Sequence, residues 1–202
     1  MPEGVVSQQR LKAFTALGDP SLLLISALAV LLYLWINGEP HKLIRSWILL
    51  SVMCVALAVA GKILCYLLDW QTLGPWRMHS PSGHVAIGVA VYGGCATLLA
   101  IGRSYPERLL IWSATGTLVI ALALSRLMLR LHSLAEIAAG LLIGVVSLVI
   151  FWLSLTPAHK PIAKPHQLIA LLLLVDFARF VHIDGEALVA RISQNIHLGW
   201  RH

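Results

Sequence analysis

The sequence predicts an all-α, polytopic membrane bundle of about six transmembrane helices, and three observations predict it. Apolar runs recur six times along the 202 residues, hydrophobic side chains make up 58% of the chain, and charged ones only 12%. Mean hydropathy is +0.83, far too apolar for a water-soluble domain of this size. The runs are long and unbroken, whereas a membrane-spanning strand would alternate polar and apolar residues in shorter pieces.

Taken in order, the runs cover 21–37, 46–68, 85–101, 109–124, 134–155 and 167–181. The first and last fall short of the roughly 20 apolar residues that a full crossing needs. Residues 1–20 carry Arg10 and Lys12 ahead of a run with no small-residue cleavage site at its end, which reads as an interfacial segment leading into a retained span. Gly140 and Gly144 form a small-xxx-small pair in the fifth run, a device for close helix packing. Trp47, Trp70, Trp76, Trp112 and Trp152 stand near run ends, as an interfacial belt requires. Leu188, Val189, Ile192 and Ile196 among polar neighbours suggest a surface-lying amphipathic tail over 184–202. With short loops and no internal repeat, the chain reads as a single domain, 1–202.

A formal net charge of +6 would suggest nucleic acid in a soluble protein. Here the cations fall in loops between apolar runs, so they point to topology and anionic head groups, and no nucleic-acid partner is expected. Cys54, Cys65 and Cys95 lie in or beside apolar runs, without the paired spacing of a disulfide framework or a zinc site. Six crossings put both termini and the polar loops around residues 81–84 and 126–132 on one face. The other face carries Lys42, Arg45, Arg103, Arg108, Lys160 and Lys164. Once Arg77, Arg126 and the tail arginines are set aside, the positive-inside rule makes that second face cytoplasmic. A bacterial inner membrane, with the polar loops facing the periplasm, fits this pattern.

Two stretches carry chemistry. Pro81-Ser82-Gly83-His84 precedes the third run, where the free N–H groups of a helix start form a ready anion site. Ser82 adds a hydroxyl, Gly83 lets the backbone approach a ligand, and His84 can move a proton near neutral pH. A capped helix start with an incidental histidine accounts for the tetrapeptide equally well. In the second stretch, Ser125-Arg126 closes the fourth run, and His132 and Glu136 open the fifth. Arg126 brings a permanent forked cation, which elsewhere would snorkel toward head groups. His132 and Glu136, four apart, share a helix face where the carboxylate can hold the imidazole. Ser133 to Glu136 is also a serviceable capping box, so Glu136 alone is ambiguous.

Together the two stretches resemble the second and third signature motifs of the type 2 phosphatidic acid phosphatase superfamily, which includes vanadium haloperoxidases and bacterial nonspecific acid phosphatases. The order is Pro-Ser-Gly-His, then Ser-Arg, five residues, His132, three residues and an acid. The resemblance implies a membrane lipid phosphatase in which His132 is the nucleophile, Glu136 orients it, and His84 serves as acid and base. It further implies that Arg126, Ser82 and the Gly83 N–H hold the phosphate, with no metal and no cofactor.

Two departures stand out. The family usually has aspartate where this chain has Glu136, and its first motif, a lysine, six residues and Arg-Pro, is broken, because counting from Lys62 reaches Asp69-Trp70. Lys62 and Arg77 are the candidates to complete the phosphate site, with snorkelling beside Asp69 and a plain interfacial cation as their respective alternatives. His79 reads as a solvated loop histidine, and Asp176 and Arg179 as a local pair. A phosphotransferase using the same site, or an inactive protein that binds lipid phosphates, would carry the same residues. His79, His84 and His132 lack a recognisable metal-ligand spacing. The expected partners are a lipid phosphate substrate and membrane lipids, and the sequence leaves substrate identity and oligomeric state open.

Overall fold

The computed structural model describes residues 15–68, 78–155, 162 and 164–178, and its described elements are all helical. A short 3₁₀ turn, Ala16–Gly18, leads into α1, Pro20–Ile36, followed by α2, His41–Leu67, and α3, Gly83–Ala100. Then come α4, Tyr105–Met128, α5, Leu134–Ser154, and α6, Pro165–Ala178. These six helices follow the six apolar runs.

The start of α1 is set by Asp19, whose Oδ1 accepts from the N–H groups of Ser21 at 2.8 Å and Leu22 at 3.4 Å, with Pro20 preset for the first turn. Helices α2 and α4 begin four or five residues ahead of their apolar runs. Each gains a polar first turn, and in α4 the Glu107 carboxylate ties that turn down by accepting from the Ser104 amide and hydroxyl at 2.9 and 2.7 Å. Hydropathy marks where lipid begins, whereas capping chemistry marks where the helix begins.

Helix α3 is the hub, packing on α5, α4, α2 and α1, while α6 lies against α1. Its apolar window is 78% buried, against 17% in α2 and in α4 and 33% in α5. A helix enclosed on every side needs small residues, and α3 supplies Gly88, Gly93 and Gly94 with Ala86, Ala90, Ala96 and Ala100. Trp47 and Leu50 of α2 lie over Gly94, and Leu148 of α5 lies over Gly93. The tightest approach is between α3 and α5. A Cβ on Gly144 would stand 2.6 Å from Val89 Cβ, and one on Gly140 only 2.5 Å from the Ser82 carbonyl oxygen. The small-residue pair therefore works as expected, and it seats the first motif directly on the helix of the second.

Trp47 departs from the interfacial belt expected of it. It is buried in the core, where its Nε1 donates to Ala27 O at 2.9 Å and its ring meets Phe151 edge-on at 6.0 Å. Burying this ring with its N–H satisfied joins α2 to α1 and α5, a use of tryptophan that proximity to a run end does not reveal. Trp112 and Trp152 are exposed, while Trp70 and Trp76 lie outside the described residues. Cys54, Cys65 and Cys95 are free and buried, as packing residues should be.

The exterior is apolar along the helix flanks, with Leu24, Leu28 and Leu32 on α1, Val52 and Val59 on α2, and Leu142, Val145 and Val149 on α5 all exposed. Such a surface suits hydrocarbon, so the chain is a membrane protein. Helices α2 to α5 are long and apolar enough to cross a membrane. Helices α1 and α6 have 17 and 14 residues, or about 25 and 21 Å at the usual rise per residue.

Candidate active site

The histidine corner forms where α3 and α5 begin. Ser82 occupies the N-cap position of α3, yet its side chain makes no capping bond. Its amide instead donates to the Glu136 carbonyl at 2.9 Å, stitching the first motif to α5, and its carbonyl accepts from Ala86 N at 3.0 Å. The N–H groups of Gly83, His84 and Val85 are therefore left without helical acceptors. Space beside Gly83 is open. Ser82 Oγ is fully buried and is the buried side-chain polar atom that lacks a partner among the described residues. Native interiors rarely leave a hydroxyl this way unless a ligand or water completes it. The capped-helix reading of the tetrapeptide thus fails at Ser82, whose hydroxyl does not cap.

Glu136 resolves its own ambiguity by doing both things at once. Oε2 accepts from the Ser133 amide at 3.1 Å and lies 2.8 Å from His132 Nδ1, while Ser133 Oγ accepts from Glu136 N at 3.3 Å. The other oxygen, Oε1, accepts from the backbone N–H of His79 at 2.8 Å. One buried carboxylate therefore closes the capping box, holds the imidazole and secures the loop ahead of Pro81. The exposed His79 ring lies at 3.6 Å from Oε1, so this residue enters the site through its amide, a role that side-chain chemistry in the sequence could not reveal. With Nδ1–H donated to Glu136, the neutral His132 tautomer carries its lone pair on Nε2, which bonds to no described residue. The His84 and His132 rings face one another with centroids 6.2 Å apart and planes inclined by 60°.

The distance in sequence from Arg126 to His132 is fixed by a helix stop. Arg130 adopts φ 54°, the left-handed conformation, its N–H donates to Leu127 O, and Leu131 N donates to Arg126 O, each at 3.0 Å. This Schellman reversal turns the chain within five residues and delivers His132 to the start of α5. A matching reversal follows α1, where Gly38 adopts φ 66° at far lower conformational cost.

Arg126 is buried at the end of α4 and donates through Nη2 to Thr15 O at 3.1 Å. It, His132 and Asp19 act electrostatically on His84, so the cation and both imidazoles share one neighbourhood. Of the two residues expected to complete the phosphate site, Lys62 lies on α2 one residue beyond Gly61, which packs on Pro81. Its side chain is exposed and bonds to no described residue. Arg77 lies outside the described residues, as do Asp69 and Arg179 and the tail 184–202. Among the described residues, no group of three or more His, Cys, Asp or Glu is placed to hold a metal. Thr15 and Asp19 were not singled out by the sequence, because nothing local links them to residues more than sixty positions away.

The innermost helix of this helical membrane protein thus begins beside two imidazoles and a buried guanidinium, groups whose chemistry suits a phosphate ester. The model of the PAP2 superfamily matches residues 64–160, from the last turn of α2 through α5, and this match supports the type 2 phosphatidic acid phosphatase superfamily. It supports phosphatase-type activity on phosphate esters. No curated protein and no solved structure matches the chain.

Proposed function

We propose that this protein is a membrane lipid phosphatase that hydrolyses a phosphomonoester or diphosphate through a phosphohistidine on His132. The observation that carries this reading is the His132–Glu136 contact, which leaves Nε2 as the nucleophilic nitrogen opposite His84. In the first step Nε2 attacks phosphorus, the P–O bond to the lipid breaks, and His84 gives its proton to the departing oxygen. In the second, His84 takes a proton from water, the hydroxide attacks phosphorus, the N–P bond breaks, and inorganic phosphate leaves. Arg126, Ser82 Oγ and the Gly83 N–H serve the phosphoryl oxygens as charge shifts between them, with Lys62 and Arg77 as further cations for the same oxygens. Exposed Leu127, Met128, Leu131 and Leu134 flank the loop that delivers His132, and such an apolar rim favours a lipid over a soluble ester. The site then faces the periplasm of a bacterial inner membrane.

Purified protein incubated with phosphatidic acid, phosphatidylglycerol phosphate, a prenyl diphosphate and lipid A phosphates should release phosphate from at least one without added metal. Vanadate should inhibit, and His132→Ala should lower kcat by at least ~10³-fold. A silent wild type across the panel, or an active His132→Ala, would end this reading. Phosphate appearing on a second lipid instead of in solution would identify a phosphotransferase.

A further inference from the structure

Arg126 is held by residues outside its own motif. The carbonyl that takes its Nη2 proton belongs to Thr15, and the preceding residue, Ser125, meets the same threonine through a Thr15 Oγ1–Ser125 Oγ bond of 2.7 Å. Ser125 Oγ donates its one proton to the Leu122 carbonyl at 2.7 Å, so the Thr15 hydroxyl is the donor to Ser125. Thr15, Ser125 and Arg126 are 7%, 1% and 8% exposed. The turn that carries Thr15 is fixed at two further points. Tyr92 on α3 donates its hydroxyl to Leu17 O at 2.8 Å, and Asp19 N closes the turn on Ala16 O at 3.0 Å.

A snorkelling arginine would end in water or head groups, and this one is buried with one protein acceptor among the described residues. A guanidinium offers five N–H donors in one plane. Fixing Nη2 on a main-chain carbonyl sets that plane and leaves the other donors for an anion, in a place where an unpaired buried cation would be costly. The arrangement supplies, from the other end of the chain, an orienting contact that Lys62 does not make.

We propose that the turn over residues 15–19 is a positioning element of the phosphate site, in which Thr15 orients the Arg126 guanidinium toward the phosphoryl oxygens. The inference rests on the phosphatase reading and adds a part to it.

The test is a double-mutant cycle in the purified full chain, using the best substrate of the panel, with kcat, KM and vanadate inhibition measured for Thr15→Val, Arg126→Lys and the pair. Thr15→Val keeps the carbonyl but removes the hydroxyl bond to Ser125 that seats it against Arg126, and should lower kcat/KM by about tenfold and weaken vanadate inhibition by a similar factor as that carbonyl loses its fixed place. In the Arg126→Lys background the same change should matter less than twofold. An equal loss in both backgrounds, or none in the wild type, overturns the inference while leaving the phosphatase reading intact. Ser125→Ala runs the same cycle if Thr15→Val does not fold. If Arg126→Lys alone keeps wild-type kcat/KM and vanadate sensitivity, Arg126 is no phosphate arm and its role in the phosphatase reading falls along with this inference.

Discussion

The two corners of the site are built by opposite means. At the histidine corner every partner of Glu136 lies within the motifs or beside them. His132 and Ser133 are four and three positions away, and the His79 amide stands two residues before Pro81. At the arginine corner the decisive partner, Thr15, is 111 residues from Arg126. The His132 and Ser133 contacts of the first corner are short-range chemistry that a helix start can assemble, and packing of α3 on α5 adds only the His79 and Ser82 amides. The second exists only when the N-terminal turn, α3 and α4 are already packed. A motif can therefore specify how an imidazole is held while leaving the seat of a neighbouring guanidinium to the fold.

The largest expected effect breaks the histidine corner. Glu136→Gln should cut kcat by roughly 10²- to 10⁴-fold, since an amide at this position can present the wrong partner to Nδ1 and destabilises the charged imidazole, as in other carboxylate–histidine pairs. Steady-state phosphate release measures this, and a loss below fivefold would remove Glu136 from the corner. Glu136→Asp sharpens the point. Withdrawing the carboxylate by one methylene should keep the His132 contact but release the His79 amide, for a loss of about tenfold.

Next in size is the arginine corner, where Arg126→Lys should lower kcat/KM by about 10²-fold, because an ammonium cannot hold both the Thr15 carbonyl and two phosphoryl oxygens in one plane. Urea or thermal unfolding in detergent should move little beside that loss. A variant that is destabilised in proportion to its lost activity would make Arg126 a structural residue.

The joint between the corners comes third. In Gly140→Ala the added methyl meets the Ser82 carbonyl, which is backbone on both sides and cannot swing away. The expected cost is about 1 to 3 kcal/mol of stability, with weakened vanadate binding as the Ser82–Gly83 turn lifts off α5. Unchanged stability and inhibition would mean that α3 and α5 separate without consequence. The smallest effect belongs to the loop between Arg126 and His132. Arg130→Gly relieves a left-handed φ and should stabilise the protein by about 1 kcal/mol at unchanged kcat. A loss of stability would show that the Arg130 side chain contributes more than its backbone strain costs.

Legibility followed the same division. Six apolar runs located six helices, and the motif spacing located the start of α3, the end of α4 and the start of α5, because hydropathy and capping are properties of neighbouring residues. Gly140 and Gly144 were legible as packing residues, although their partner was not. Trp47 was misread, since its place near a run end says nothing of the cavity between α1, α2 and α5 that it fills. Ser82 looked like a cap in the sequence, and only the fold turns its hydroxyl inward without a partner. The broken first motif directed attention to Lys62 and Arg77, while the contact that holds Arg126 comes from a threonine with no signature of its own.

By itself, then, the sequence determined the helical membrane class, the resemblance to a family, and the order of histidines, arginine and carboxylate, since period, hydropathy and short spacings are written locally. The tertiary structure decided that Glu136 caps α5, holds His132 and tethers the His79 amide at once, that α3 is the buried hub, and that the Thr15 carbonyl receives the Arg126 guanidinium. Those facts depend on which surfaces meet when helices distant in sequence pack, and no local pattern encodes that meeting.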